Sequence, residues 1–298
     1  SWTTAASNSN VAIGATAMSD ALNGALGNTA LGHDTLKALT EGDYNVAIGH
    51  TTGDALTTGG YNTLLGQAAG GALVGGGTNI AIGYQPLYYG TANNYVVAIG
   101  SRAGYNSTAD YNVYVGNSAG RESRAGVSQV YIGNNAGYYA TGSYNTFVGD
   151  LAGKGGTTSA PFSSGGSNTA VGRRALDAFT TGQYNAALGA DALGSVTSGQ
   201  YNVGIGVSAG GAITTAQECI AIGQDSLVAS QTGNGIIAIG YQAMFSANHA
   251  DNAGNVAIGY TALRTNIKGA QNVAIGDEAG RYATGSKNTF VGHRAGLG

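Results

Sequence analysis

The sequence predicts an all-β parallel solenoid, and three observations carry the prediction. A short phrase, a small apolar triplet closed by glycine as in Asn45-Val46-Ala47-Ile48-Gly49, returns seventeen times along the 298 residues. The closing glycines, from Gly14 and Gly32 to Gly276 and Gly292, lie 17 residues apart in ten of the sixteen intervals, 16 apart in three, and 18, 19 and 23 apart in the others. Ile, Leu or Val stands directly before every one of them, a regularity that Gly-rich disorder would not keep. A unit this small buries no core alone and must stack on its neighbours. Residues 1–298 therefore read as a single β-solenoid repeat array of about 17 coils, although the length alone suggests two domains.

Each part of one repeat has its own reason. Val46, Ala47 and Ile48 favour a strand, with β-branched residues at the first and third positions, and Gly49 ends it with a corner. The next segment, as in Gly66-Gln67-Ala68-Ala69-Gly70, reads as a second short extended run, and Thr-Gly pairs such as Thr58-Gly59 and Thr141-Gly142 turn the chain back. Two strands and two tight connections thus account for one coil. Coils stacked in register at about 4.8 Å predict a rod of roughly 80 Å.

Stacking places like over like. Val11, Thr29, Val46 and Thr63 begin one ladder; Ile13, Leu31, Ile48 and Leu65 begin a second on the same strand face. The middle position faces the other way and is also apolar, with Ala47, Leu64, Tyr114, Tyr131, Phe147 and Phe290 among its members. A thin coil has one lumen and covers one face, so the other needs a partner. The simplest partner is the same ladder in another copy, which predicts a parallel homotrimer with those six residues as interface candidates. A monomer exposing an alanine stripe is the alternative, but Tyr114, Tyr131 and Phe147 would then form an unexplained patch.

Tyr-Asn precedes the strand at Tyr44-Asn45, Tyr61-Asn62, Tyr111-Asn112, Tyr144-Asn145, Tyr184-Asn185 and Tyr201-Asn202. Stacked asparagines can form amide ladders and stacked tyrosines can cover a corner. Structural support is preferred over a sugar-binding strip, because the position is tied to the repeat.

The phrase Asn-Val-Ala-Ile-Gly resembles the head repeats of trimeric autotransporter adhesins of the YadA type. The longer units Asn79-Ile80-Ala81-Ile82-Gly83-Tyr84-Gln85-Pro86-Leu87 and Asn255-Val256-Ala257-Ile258-Gly259-Tyr260-Thr261-Ala262-Leu263 look still more like repeats of phage tail fibres and related surface fibres. The resemblance spans essentially the whole chain and implies a left-handed β-roll, a trimer, a fibre and an extracellular place on a virion or cell surface. A cell-surface glycan or protein receptor is then the candidate partner, and phage and bacterial origin both remain open. The period is longer than that of YadA-type heads, and no coiled-coil stalk, membrane anchor or chaperone segment is found.

Chemistry-bearing groups are sparse. Charged residues make up 9% of the chain and the net charge is -3, which offers no basic face to nucleic acid and no polybasic membrane patch. No run of about 18 apolar residues predicts insertion into a bilayer. Cys219, the one cysteine, stands where most repeats carry Asn and reads as a buried substitute. His33 and His50 should stack about 5 Å apart, yet a pair alone lacks the ligands zinc needs. Neither a catalytic constellation nor a cofactor is expected. The Arg121, Glu122 and Arg124 cluster reads as a solvated loop.

Interruptions of the repeat are more informative. The long interval carries an insertion around Lys154 to Ser167 with Pro161 and Phe162 at its centre, and a smaller excess around Ser246 to Gly254 holds His249 and Asp251. These four are the binding-loop candidates, since loops extruded from a rigid scaffold often bind. Both ends of the chain sit almost on the repeat, which suggests either a segment of a longer fibre or copies joined end to end. The sequence thus predicts a structural fibre or adhesin segment that supports attachment, with an extracellular filament subunit as the alternative.

Overall fold

The computed structural model describes residues 7–156, 162–246, 253–266 and 268–297. The chain divides into two compact units, Ser1–Tyr144 and Asn145–Gly298. The first holds β1 (Val11–Ile13), β2 (Thr29–Leu31), β3 (Val46–Ile48), β4 (Thr63–Leu65), β5 (Ile80–Ile82), β6 (Val97–Ile99), β7 (Val113–Val115) and β8 (Val130–Ile132). The second holds β9 (Thr146–Val148), β10 (Thr169–Val171), β11 (Ala186–Leu188), β12 (Val203–Ile205), β13 (Ile220–Ile222), β14 (Ile237–Ile239), β15 (Val256–Ile258), β16 (Val273–Ile275) and β17 (Thr289–Val291). Within each unit consecutive strands pair in parallel with like over like: Val46 beside Thr63, Ala47 beside Leu64, Ile48 beside Leu65. Seventeen parallel strands repeating at about 17 residues make the fold an all-β solenoid, as predicted.

Each coil contains one three-residue strand, where two were expected. The run after the closing glycine is a series of turns with left-handed backbone at alternate residues, such as Thr51 (φ 51°) and Gly53 (φ 58°). Coil-to-coil hydrogen bonds continue through it nonetheless. The Thr51 N–H donates to the preceding coil at His33 O (2.9 Å), and the Gly53 N–H donates to the following coil at Ala69 O (3.0 Å). Stacking therefore satisfies the backbone without extended geometry. The strand-closing glycine is fixed by close approach: Gly49 has φ +138°, and a Cβ there would lie 2.7 Å from Gly66 O.

The strand faces are the reverse of the expectation. Ala47, Leu64, Tyr114, Tyr131 and Phe147 are fully buried within their own chain, so they form the lumen and offer no surface to another copy. Phe290, on the last strand, is half-buried. The first and third residues point outward, and none of them is buried in any of the seventeen strands.

Large residues fit inside because a glycine follows six positions later. Leu64, Tyr114, Tyr131 and Phe147 are matched by Gly70, Gly120, Gly137 and Gly153, whereas Ala30, Ala81, Ala170 and Ala187 are matched by the buried Leu36, Leu87, Leu176 and Leu193. A Cβ on Gly70 would sit 3.2 Å from Leu64 Cδ2. Where an alanine coil also has glycine at that site, a neighbour fills the space: a Cβ on Gly53 would meet Leu64 at 2.8 Å and Leu36 at 3.1 Å. Each coil thus divides a fixed lumen volume between two positions.

Candidate functional site

The residue before each strand shares the lumen face with the strand centre. Asn28, Asn45, Asn62 and Asn79 are buried there and form the predicted amide ladder. Asn45 Nδ2 donates to Asn28 Oδ1 (3.0 Å) and to Gly59 O (2.9 Å), while Asn28 Oδ1 also accepts from the Asn45 N–H (2.8 Å). Cys219 occupies this position in its coil and is buried, with Sγ 3.2 Å from Gly233 O; burial pushes its thiol pKa up. Gln129 replaces Asn in another coil, and its Oε1 accepts the Tyr114 hydroxyl (2.7 Å). Ser107 and Ser123 also contact that hydroxyl at 3.3 and 3.1 Å, and burial outweighs them to push the phenol up to about 12.

One residue earlier the side chain points outward with left-handed backbone. Tyr44, Tyr61, Tyr95, Tyr111 and Tyr144 occupy this corner in the first unit with φ between 55° and 62°. Tyr95 and Tyr111 stack with centroids 5.2 Å apart and planes 4° apart; Tyr184 and Tyr201 in the second unit stack at 5.0 Å and 5°. All are at least half exposed.

The first unit carries a second aromatic group that the sequence analysis did not anticipate. Tyr88 and Tyr105 stack at 5.4 Å and Tyr89 meets Tyr105 edge-on at 5.1 Å. The Arg121 guanidinium lies 5.5 Å from the Tyr105 ring centre and 5.4 Å from that of Tyr138, and Arg102 lies 5.9 Å from Tyr84 and Tyr105. Desolvation and the Tyr89 hydrogen bond raise the Tyr105 pKa. Arg121 is therefore a packed cation between tyrosines rather than part of a solvated loop. Sequence separations of 16 and 17 residues hid these contacts until the register was fixed.

The outermost feature is the sheet face itself. Its two ladders present Val11, Ile13, Leu31, Val46, Leu65, Ile80 and Ile132 to the exterior in the first unit, and Leu188, Ile205, Ile275 and Val291 in the second. Away from the terminal strands, Leu65 is 41% exposed and Leu188 52%. Apart from Thr29 and Thr63 in the first unit and Thr146, Thr169 and Thr289 in the second, the outward positions are apolar, and among the described residues none of them is buried.

The loop candidates divide. Pro161, His249 and Asp251 lie outside the described residues, and Phe162 is half-buried. The long insertion rejoins the stack at Ser164 and Gly165, whose N–H groups donate to Thr180 O at 2.8 and 3.1 Å. His33 and His50 stack at 5.3 Å, with His33 Nδ1 2.9 Å from Asp34 Oδ2. Among the described residues no group of three or more His, Cys, Asp or Glu is arranged to hold a metal ion, and no helix is long and apolar enough to cross a membrane. In the second unit a groove of about 300 Å³ is lined by Arg174, Asp177 and Asp191; burial raises Asp177 against the opposing pull of Arg174 3.2 Å away. No family model matches the chain, and no curated protein or solved structure matches it.

Proposed function

We propose that the chain is a structural segment of an extracellular fibre or adhesin, assembled as a parallel homotrimer and supporting attachment to a host or surface. The observation that carries this reading is the outward apolar face of the strands. Outward ladders that are aliphatic except at Thr29, Thr63, Thr146, Thr169 and Thr289 are costly to leave in water at about 25 cal/mol per Å² of apolar surface, and a second copy in the same register presents a matching surface. Three copies around an axis bury one such face each and close the assembly. The interface residues in this reading are the first and third of each strand, among them Val46, Leu65, Ile132 and Ile205. The likeness of the repeat to YadA-type heads and phage tail fibres points the same way, including to a left-handed roll on a virion or cell surface.

Light scattering of the purified chain tests the assembly. The expected mass is three times 29.4 kDa, and Leu65→Lys with Ile132→Lys and Ile205→Lys should reduce it to one chain without loss of β structure. A wild-type mass of one chain would overturn the trimer. Electron microscopy that showed long end-to-end filaments would instead favour the filament subunit.

A further inference from the structure

We propose that the corner of the first unit contains a ring-sized slot between Tyr111 and Tyr144, opened by Ser128, that binds one neutral pyranose ring of a glycan. Register establishes the slot. Tyr44, Tyr61, Thr78, Tyr95, Tyr111, Ser128 and Tyr144 each stand two residues before the first residue of a strand. All seven have left-handed backbone, with φ from 54° to 62°. The corner is thus the same in each coil and only the side chain changes. Where tyrosines are consecutive they stack, as Tyr95 and Tyr111 do at 5.2 Å. The coil of Ser128 stays in the stack, since the Tyr144 N–H donates to Val127 O at 3.0 Å. One ring is therefore replaced by a hydroxymethyl group, and the flanking tyrosines are two coils apart.

The space is present as a groove of about 580 Å³ whose lining includes Thr108, Asp110, Tyr111, Val127, Ser128 and Tyr144. Tyr111 and Tyr144 are 60% and 64% exposed, so both rings are accessible to a ligand. Two coil spacings put the walls about 10 Å apart. Two carbon contacts of about 3.5–4.0 Å leave roughly 2–3 Å of thickness between them, which suits a puckered sugar ring better than a flat aromatic one. The polar groups sit at one side of the slot. Asp110 Oδ1 accepts the Asn94 N–H at 2.8 Å, while Oδ2 has only the Asn94 Nδ2 contact at 3.4 Å and retains accepting capacity. The Thr108 hydroxyl donates to Arg124 O and keeps its own lone pairs for a ligand. The Ser128 hydroxyl can donate or accept. The Tyr111 face, set by its stack on Tyr95, and the exposed Tyr144 ring for C–H groups, beside hydroxyl and carboxylate acceptors, form the recognition pattern of a sugar, and the Asp110 charge disfavours acidic sugars.

A second interruption provides the control. Thr78 stands between Tyr61 and Tyr95, but Gly60 and Gly77 occupy the places of Asp110 and Val127, so that gap lacks the carboxylate. The Ser128 slot is complete within one chain and stands whether or not chains assemble; it names a receptor class that the attachment reading leaves open.

Saturation-transfer NMR with the methyl pyranosides of glucose, galactose, mannose and N-acetylglucosamine tests the site on the full chain. At least one should show saturation of its ring C–H protons. Ser128→Tyr, which installs the side chain its neighbours already carry, should weaken that sugar about tenfold or more, and Thr78→Tyr should leave it within about twofold. Methyl glucuronide should bind more weakly than methyl glucoside. No saturation of any of the four neutral sugars, equal binding by the Ser128→Tyr chain, or loss on Thr78→Tyr alone would each overturn the proposal. Binding of phenol at the slot without any pyranoside would overturn the sugar assignment. Light scattering on the same samples separates these outcomes from a failure of assembly.

Discussion

The two faces of one strand follow different rules. At the inner, middle position of β3, β4 and β7 stand Ala47, Leu64 and Tyr114, a range from one methyl to a phenol ring. At the outer positions of the same strands stand Val46, Ile48, Thr63, Leu65, Val113 and Val115, all of intermediate size. The inner variation is matched inside the chain, because Gly70 and Gly120 vacate the volume that Leu64 and Tyr114 take. Among the described residues no glycine is packed against these outer side chains in the same way. A closed lumen constrains total volume and lets two positions trade it, whereas an open sheet surface constrains each position to the same height. That contrast identifies the inner ladder as the core of one chain; in the proposed trimer the outer ladders are the surface that meets another copy.

The largest effect should come from breaking the inner trade. Leu64→Ala leaves a cavity and is expected to destabilise by about 2–5 kcal/mol. Gly70→Leu overfills the same coil at about 1–3 kcal/mol. The backbone itself permits leucine there, since Leu36 holds φ 48° at the equivalent site. Combined, the two changes recreate the Ala81 and Leu87 arrangement of the next coil, so the double variant should recover the part of the loss on the Gly70 side, while the space that Leu64 fills beside Gly53 stays open. Urea denaturation of the four chains measures the coupling, and simple additivity would show that the positions do not share volume.

Tyr114 makes the same point through pH. Its phenol is pushed up to about 12 by burial, against an unfolded value near 10. The folded state therefore holds the proton more tightly. The associated stability is fully present below about pH 10 and is lost as pH rises toward 12, on the order of 2–3 kcal/mol. Thermal unfolding of the wild type should fall through that window more steeply than that of Tyr114→Phe, and parallel curves would contradict the burial of the hydroxyl.

How much of this was legible in the sequence varies with how local the signal is. The Val-Ala-Ile-Gly period carried the solenoid, the amide ladder at Asn45 and Asn62, and the His33–His50 spacing, because register alone fixes them. The facing of the strand was not recovered from periodicity, since Val46, Ala47 and Ile48 are all apolar. The deciding signal was present six residues away, in the glycines after Leu64 and Tyr114. Left-handed residues such as Ala68 (φ 53°) carry no mark of it in their identity, so the turn segment read as extended. The Arg121–Tyr105–Tyr138 stack and the Ser128 slot depend on neighbours a full coil away and emerge only when coils are aligned.

The asparagine position of the lumen is tested at smaller amplitude by Cys219. Its N–H donates to Asn202 Oδ1 at 3.0 Å, as an asparagine there would, but its sulfur replaces an amide with stronger hydrogen-bonding capacity. Cys219→Asn should complete that rung and stabilise by about 1 kcal/mol. In the native chain the buried thiol should resist a thiol reagent until urea opens the coil. Rapid labelling without denaturant would place position 219 outside the lumen.

The smallest effect is expected on the outer face, where Val46 lies between Thr29 and Thr63 in the ladder. Val46→Thr sets three threonines side by side, a pairing that sheet surfaces accept, and at a solvent-exposed site it should move the unfolding midpoint of the separated chain by no more than about 0.5 kcal/mol. The same substitution should matter more in the proposed trimer, because it would put a hydroxyl where a methyl group meets the partner copy. Measured in chains kept single by Leu65→Lys, Ile132→Lys and Ile205→Lys, Val46→Thr should be near neutral; in the otherwise wild-type chain it should lower the resistance of the proposed trimer to dilution. A cost above about 1 kcal/mol in the dissociated chain would mean that the outer ladder is already packed within one chain, and the difference between the two faces would disappear.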